Sequence, residues 1–401
     1  MPAAIRRSGG YFLLFFCAGL DLALLGPTLP ALAAQTQSTL GDVGLIFFIG
    51  AGGATVGTLL GGWIFDWASG RIVLGAAQTI SASLLFLVPH VHWYGLLMVV
   101  FALRGISTGL INTGANTLLL WAHGGTAGPH VNALHFFWGL GSFLSPFLLG
   151  LLLAAGGVYS DAFAFLAIFD LAVGLVVLLR LKAPAPSGHR PAERHAARSR
   201  RFTAPIVVSA MLFLFFYVGA ELTLGGWLYS YATTLQLADA VRAAYLTSLF
   251  WLAFTIGRLV SIPVALRLSP ARILFLALVG CAAFMSLLVA VPSSTVVLWL
   301  AVAGAGFSMA PIWPTGYTLA GQSVGLTARV SGIILLGDSV GAMVLPGLTG
   351  MFMQRAGAAT MTQLVLASLL ATFAAYLGIL FFGRGRAGSL APSPTVVPSQ
   401  N

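Results

Sequence analysis

Apolar residues run along this chain in long blocks separated by short polar breaks, and no block alternates apolar with polar as a barrel strand would. The blocks predict helices near 11–34, 43–65, 72–88, 94–121, 131–155 and 162–181. A second series follows near 203–234, 242–266, 273–291, 295–320, 330–353 and 359–382. Roughly 20 apolar residues make one helical crossing, so twelve crossings take about 240 residues and leave about 160 for loops and tails. That leaves room for short connections and for no sizeable domain outside the bilayer.

Sliding the sequence against itself by 200 residues exposes a repeat. Gly19, Asp21, Leu22, Leu24 and Gly26 fall on Gly219, Glu221, Leu222, Leu224 and Gly226, and Gly57 falls on Gly257. Gly141, Pro146 and Gly150 fall on Gly341, Pro346 and Gly350. The expected fold is therefore an all-α membrane protein with two pseudo-symmetric six-helix bundles and a site between them near the bilayer midplane. The expected bundles are 1–182 and 202–383, joined by a basic cytoplasmic linker at 183–201 and followed by a flexible cytoplasmic tail at 384–401.

Composition sharpens this picture. Charged residues make up 7% of the chain and hydrophobic ones 59%, whereas a soluble domain carries about a quarter charged residues. The net charge of +10 is placed by topology rather than by a nucleic-acid partner, and none is expected. With the amino terminus in the cytoplasm, alternate exposed segments on that side hold Arg6, Arg7, Arg71, Arg180, Lys182, Arg190, Arg194, Arg198, Arg200, Arg201, Arg267, Arg272, Arg329, Arg384 and Arg386. The opposite side holds Arg242 and Arg355. Both termini are thus expected to be cytoplasmic. The first apolar run lacks a small-residue cleavage site, so it reads as a retained helix rather than a signal peptide. Cys17 and Cys281 fall inside apolar runs, where they read as small packing residues.

Ionisable groups deep in a span cost about 2.5 to 3.5 kcal/mol on insertion scales, so each needs a partner, a wet cavity or a task. Five stand out: Asp21, Arg104, Glu221, Arg258 and Asp338. Asp21 and Glu221 are repeat mates in the first and seventh spans, and Arg104 is in the fourth. A buried carboxyl group with a guanidinium close by can load and release a proton as a cavity opens to either side. A permanent ion pair pinning helices together is the alternative for the same residues. Arg258 and Asp338, at similar depths in the eighth and eleventh spans, are expected to bridge to each other as a structural or gating pair.

Arg104, Thr108, Asn112 and Asn116 recur every four residues along one face of the fourth helix. Amides at that spacing suit the vicinal hydroxyls of an uncharged polyol, or they serve hydrogen bonds between helices. In the fifth helix Asn132, His135 and Ser142 share a face with Gly139. Trp313 and Tyr317 sit one turn apart in the tenth span, beside Pro311 and Pro314. Such aromatic faces can stack on a sugar ring or fill the core, and Trp138 and Trp227 carry the same two readings. There is no phosphate loop, zinc spacing or serine elbow, so neither enzymatic activity nor ATP-driven pumping is expected. No cofactor or metal is expected.

Over essentially its whole length the chain resembles the major facilitator superfamily. Gly62, Asp66, Gly70 and Arg71, between the second and third spans, look like a loosened form of that superfamily's loop signature, with Trp67 in the place of the usual basic residue. The stretches 112–116, 132–139 and 217–227 resemble the branch of the fucose permease and sodium-dependent glucose transporter 1. The resemblance implies alternating-access transport of a monosaccharide or similar hydroxylated solute coupled to a cation, a proton in the first instance and sodium as the alternative. It makes Asp66 and Arg71 gate contacts. Asp21 matches the acidic residue of the permease's first helix that takes part in proton coupling. The permease's second acidic group, on its fourth helix, has no counterpart here, and Glu221 is expected to take that role.

The resulting expectation is a proton symporter importing a sugar-like solute across a bacterial or similar inner (cytoplasmic) membrane, acting as a monomer. Asp21, Glu221 and Arg104 would couple the proton, while Asn112, Asn116, Asn132, His135, Trp138, Trp227, Trp313 and Tyr317 would bind substrate. A drug or metabolite exporter of the same fold, or a carrier of a small organic anion drawn to Arg104, are the alternatives within the fold. A transporter-like receptor or a membrane-embedded enzyme is the alternative outside it.

Overall fold

Polar residues that interrupt the hydropathy pattern turn out to close helix ends. The computed structural model describes residues 3–184, 204–324 and 327–383. Nearly all of the expected linker, and the tail at 384–401, lie outside the described residues. The elements are α1 (Ala3–Gln35), α2 (Leu40–Ile64), α3 (Gly70–Leu87), α4 (Tyr94–His123), α5 (Gly128–Ala154), α6 (Tyr159–Arg180), α7 (Ala204–Thr234), α8 (Ala240–Ala265), α9 (Pro270–Ala290), α10 (Thr295–Met309), α11 (Ile312–Val324), α12 (Ala328–Ala356) and α13 (Thr360–Gly383). Twelve spans among the described residues are long and apolar enough to cross a membrane, with α10 and α11 together making one.

Several helices start earlier or run later than hydropathy predicts, because their first and last turns are polar. Thr39 accepts from the backbone N–H of Asp42, whose carboxylate takes the Thr39 N–H in return, so α2 begins at Leu40 rather than 43. That reciprocal pair satisfies two donors that an open helix end leaves orphaned. Asp239 accepts from the Arg242 N–H at 2.8 Å to start α8. Gly357, at φ +93°, carries the chain out of α12 through a conformation open to few other residues.

The repeat read from the sequence is physical. In the first half α1 packs on α5, α2 on α4 and α3 on α6; in the second, α7 packs on α12, α8 on α10 and α9 on α13. The matched glycines make matched contacts. A Cβ at Gly141 would collide with the Phe16 carbonyl on α1, and one at Gly341 with the Phe215 carbonyl on α7. Likewise Gly57 abuts Ile106 and Gly257 abuts Phe307. Without a hydrophobic drive between helices in lipid, such backbone approach is what holds a bundle together.

The halves meet at one end. There α2 packs on α12 and α5 on α8. The repeat mates Gly26 and Gly226 face each other, so closely that a Cβ on the first would stand 2.6 Å from the carbonyl oxygen of the second. The Trp227 ring lies between Gly44 and Gly350, and its N–H donates to the Pro346 carbonyl at 2.8 Å. Thr39 donates across the seam to the Gln354 side chain at 2.8 Å. Toward the end bearing the chain termini the contacts stop: Gly62 of α2 and Gly332 of α12 have nothing within 4 Å of where a Cβ would be. The bundles are closed at the loops following α1, α7 and α12 and parted at the other end.

Candidate functional site

Depth in the membrane follows from sequence, but the face a side chain takes follows from packing. Asp21 and Arg104 do meet: Arg104 donates to Asp21 at 2.6 Å, with side chains only 13% and 9% exposed. The guanidinium also lies over the Phe101 ring, 5.8 Å from its centre. The second oxygen of Asp21 and the Arg104 Nε have no hydrogen-bond partner among the described residues. Asp170 of α6 stands in the same electrostatic group, together with Cys17 of α1. Asp170 is fully buried. Sequence reasoning passed over it, although the cost that singled out the other five applies equally to an aspartate in the middle of a span read as 162–181.

The polar stripe of α4 runs from this pair into the opening. Thr108 donates back to the Arg104 carbonyl at 3.0 Å, and Asn116 donates to the Asn112 carbonyl at 3.0 Å. Asn112 is exposed and Asn116 half-buried. A small cavity of about 90 Å³ is lined by Ala18, Leu22, Thr108, Asn112 and Trp138, among others. On α5, Asn132 is exposed and His135 is half-buried, its ring edge-on to Phe15 at 5.6 Å.

The second half builds a different network. Glu221, on α7, is 7% exposed. It lies within hydrogen-bonding reach of Tyr217 and in the field of Arg258 and Asp338. The expected bridge between Arg258 and Asp338 is not formed. Among the described residues the ion pairs are Asp21 with Arg104 and Asp239 with Arg242. Arg258 instead lays its guanidinium over Phe254 at 4.7 Å and, across the seam, over Trp138 at 5.6 Å. Asp338 accepts from the Trp313 ring N–H at 2.8 Å. The reason is azimuth: two groups at one height on α8 and α12 have neighbours that reach them sooner than they reach each other.

Trp313 and Tyr317 stack with centres 5.6 Å apart and planes 12° from parallel, both half-buried on α11. The tenth span is not one continuous helix, because Pro311 and Pro314 bring no N–H to its ladder and α10 stops at Met309. Tyr217 donates to the freed Met309 carbonyl at 2.7 Å, a contact no feature of the apolar run around Tyr217 announces. Tyr217→Phe should leave that buried carbonyl unsatisfied and cost about 1–3 kcal/mol, read as a lower unfolding temperature of the purified protein. An unchanged temperature would show that the break needs no such support.

Trp227 departs from its expected place. It is fully buried in the closed seam with its N–H already used, so it holds the bundles together instead of facing the opening. Asp66 and Arg71 are both exposed, and neither takes part in an ion pair among the described residues.

Two six-helix halves of like construction, with buried charged groups on either side of the gap, define a secondary transporter. The comparisons agree. The model of the Major Facilitator Superfamily matches residues 11–346, and the chain belongs to that superfamily, a family of transporters and not of enzymes. The sodium-dependent glucose transporter 1A of Mus musculus is 31% identical over 369 residues, covering 84% of this chain and 87% of the relative. The sodium-dependent glucose transporter 1 of Homo sapiens is 29% identical, covering 84% of this chain and 71% of its own. Among solved structures, a D-xylose-proton symporter superimposes with a TM-score of 0.74 at 15% identity, covering 94% of this chain and 96% of that one. The nucleoside transporter NupG superimposes with a TM-score of 0.69 at 15% identity, covering 95% and 99%.

Proposed function

We propose that this transporter carries a sugar-like, hydroxylated small solute by alternating access, and that a proton drives it. The observation that carries the reading is the band of uncharged polar and aromatic groups beside the gap: Thr108, Asn112 and Asn116 on α4, Asn132, His135 and Trp138 on α5, and the stacked Trp313 and Tyr317 on α11. Amides that both donate and accept suit hydroxyls, and flat aromatic faces suit the apolar side of a sugar ring. The sodium-dependent glucose transporters among its relatives support the same substrate class and make sodium the alternative coupling ion.

The carboxylates supply the coupling. Tyr217 spends its only proton on the Met309 carbonyl, so its oxygen can only accept from Glu221. A hydrogen bond from Glu221 to that oxygen would form only while Glu221 carries a proton. Losing that proton leaves a carboxylate with Arg258 as the nearby cation. Asp21 and Arg104 form the corresponding group in the first half. With the basic segments placed in the cytoplasm, the parted end faces inward, and Asp66 with Arg71 lies at the mouth where a gate between the bundles would form. The reading places a monomer in the cytoplasmic membrane.

The test is counterflow in proteoliposomes containing the purified protein and unlabelled D-glucose, with labelled D-glucose outside. Uptake should exceed that of empty vesicles and should fall at least tenfold in Asn112→Ala. Absence of exchange for D-glucose and for a panel of other monosaccharides would end the sugar reading. A small organic anion is the second reading. It is favoured by Arg258, whose guanidinium rests on aromatic faces with no carboxylate within ion-pair distance among the described residues. Exchange of a carboxylate that is lost in Arg258→Gln would select it.

A further inference from the structure

The first-half charge group contains one cation and two acids. Asp170 is fully buried; its oxygens make no hydrogen bond of good geometry among the described residues, and its carboxyl stands within reach of Asp21 and Cys17. Arg104 is already committed to Asp21. Among the described residues, Arg104 is the one cation in the field of Asp170. From α1 come Asp21 and Cys17, and from α4 comes Arg104. From α3, Thr79 lies against Gly174, one turn beyond Asp170, and the buried Gln78 precedes it. Phe16 and Phe169 close the layer edge to face at 5.9 Å and fix α1 against α6 at this height. Two carboxylates and one guanidinium, all ionised, would leave an uncompensated negative charge in a dry core, at a cost of several kcal/mol.

We propose that Asp170 holds a proton in this conformation, and that it and Asp21 are two ends of a short relay switched by Arg104. This deepens the proton-coupled reading above and rests on it for its role in transport. When Arg104 leaves Asp21 for Asp170, the O–H bond on Asp170 breaks, a new O–H bond forms on Asp21, and the group stays neutral throughout. The proton is thereby moved from a sealed position to the side of α1 that flanks the cavity at Ala18 and Leu22. Asp170 is thus a positioning and proton-storing residue that does not need to touch the solute.

Infrared spectroscopy of the purified, lipid-reconstituted protein at neutral pH reads this without any substrate. The wild type should show the carbonyl stretch of a protonated carboxylic acid, with a component that is lost in Asp170→Asn. The same component should vanish in Asp21→Asn, because Arg104 then has Asp170 as its only carboxylate and ionises it. Asp170→Glu should keep the component at a shifted frequency. Should Asp170→Asn fail to fold, Asp21→Asn and Asp170→Glu still decide. An acid band unchanged in Asp21→Asn and in whichever Asp170 variant folds would overturn the proposal, even if pH-driven sugar transport were found. A band that behaves as expected in a protein that exchanges no sugar would instead leave the relay standing and remove the sugar.

Discussion

Glu221→Gln should abolish accumulation of solute against its gradient while labelled-for-unlabelled exchange continues. Glutamine keeps the size and the donor that Tyr217's oxygen can accept, so α7 and the α10–α11 break stay supported. What it cannot do is give up a proton and become the anion that faces Arg258. A carrier whose loaded form is permanently neutral still turns over in exchange, because exchange needs no net proton movement. It loses the coupling of turnover to a pH gradient. Proteoliposomes with an imposed pH difference test this directly: wild-type accumulation should rise with external acidity, and the variant should show none at any pH. Wild-type accumulation indifferent to external pH but dependent on sodium would transfer the coupling role to that ion.

Arg104→Gln should be the most destabilising change in the first half. It strands Asp21, and with it the whole charge group, in a site whose side chains are 13% exposed or less. Breaking a buried pair from one side costs about 3–5 kcal/mol. The same figure overstates what the pair contributes, since removing both charges is often close to neutral. Arg104→Gln combined with Asp21→Asn should therefore recover most of the loss. Unfolding temperatures of the three variants measured in one detergent check the pattern. A single variant within about 1 kcal/mol of wild type, the range of exposed pairs, would mean that water reaches the site.

The fold was legible because each of its signals is local or periodic. Span count needs only hydropathy, and the repeat needs only glycine, proline and acidic letters 200 positions apart. The pair of Asp21 with Arg104 was legible as well, since both lie at mid-depth in spans of the same half. What hydropathy does not carry is rotation about the helix axis. Arg258 and Asp338 share a depth and still find other partners. Trp227, beside the symmetry-matched Gly226, lies in the closed seam rather than facing the opening. Asp170 was hidden for a different reason: it has no repeat mate, position 370 being Leu370.

The facing glycines of α1 and α7 bear on how easily the closed end can come undone. Pulling Gly26 from Gly226 uncovers peptide groups that water solvates readily. Pulling Trp227 from between Gly44 and Gly350 uncovers an indole, whose hydration carries a penalty of about 2–3 kcal/mol on area grounds. The indole therefore contributes more than the glycine pair to holding this end shut.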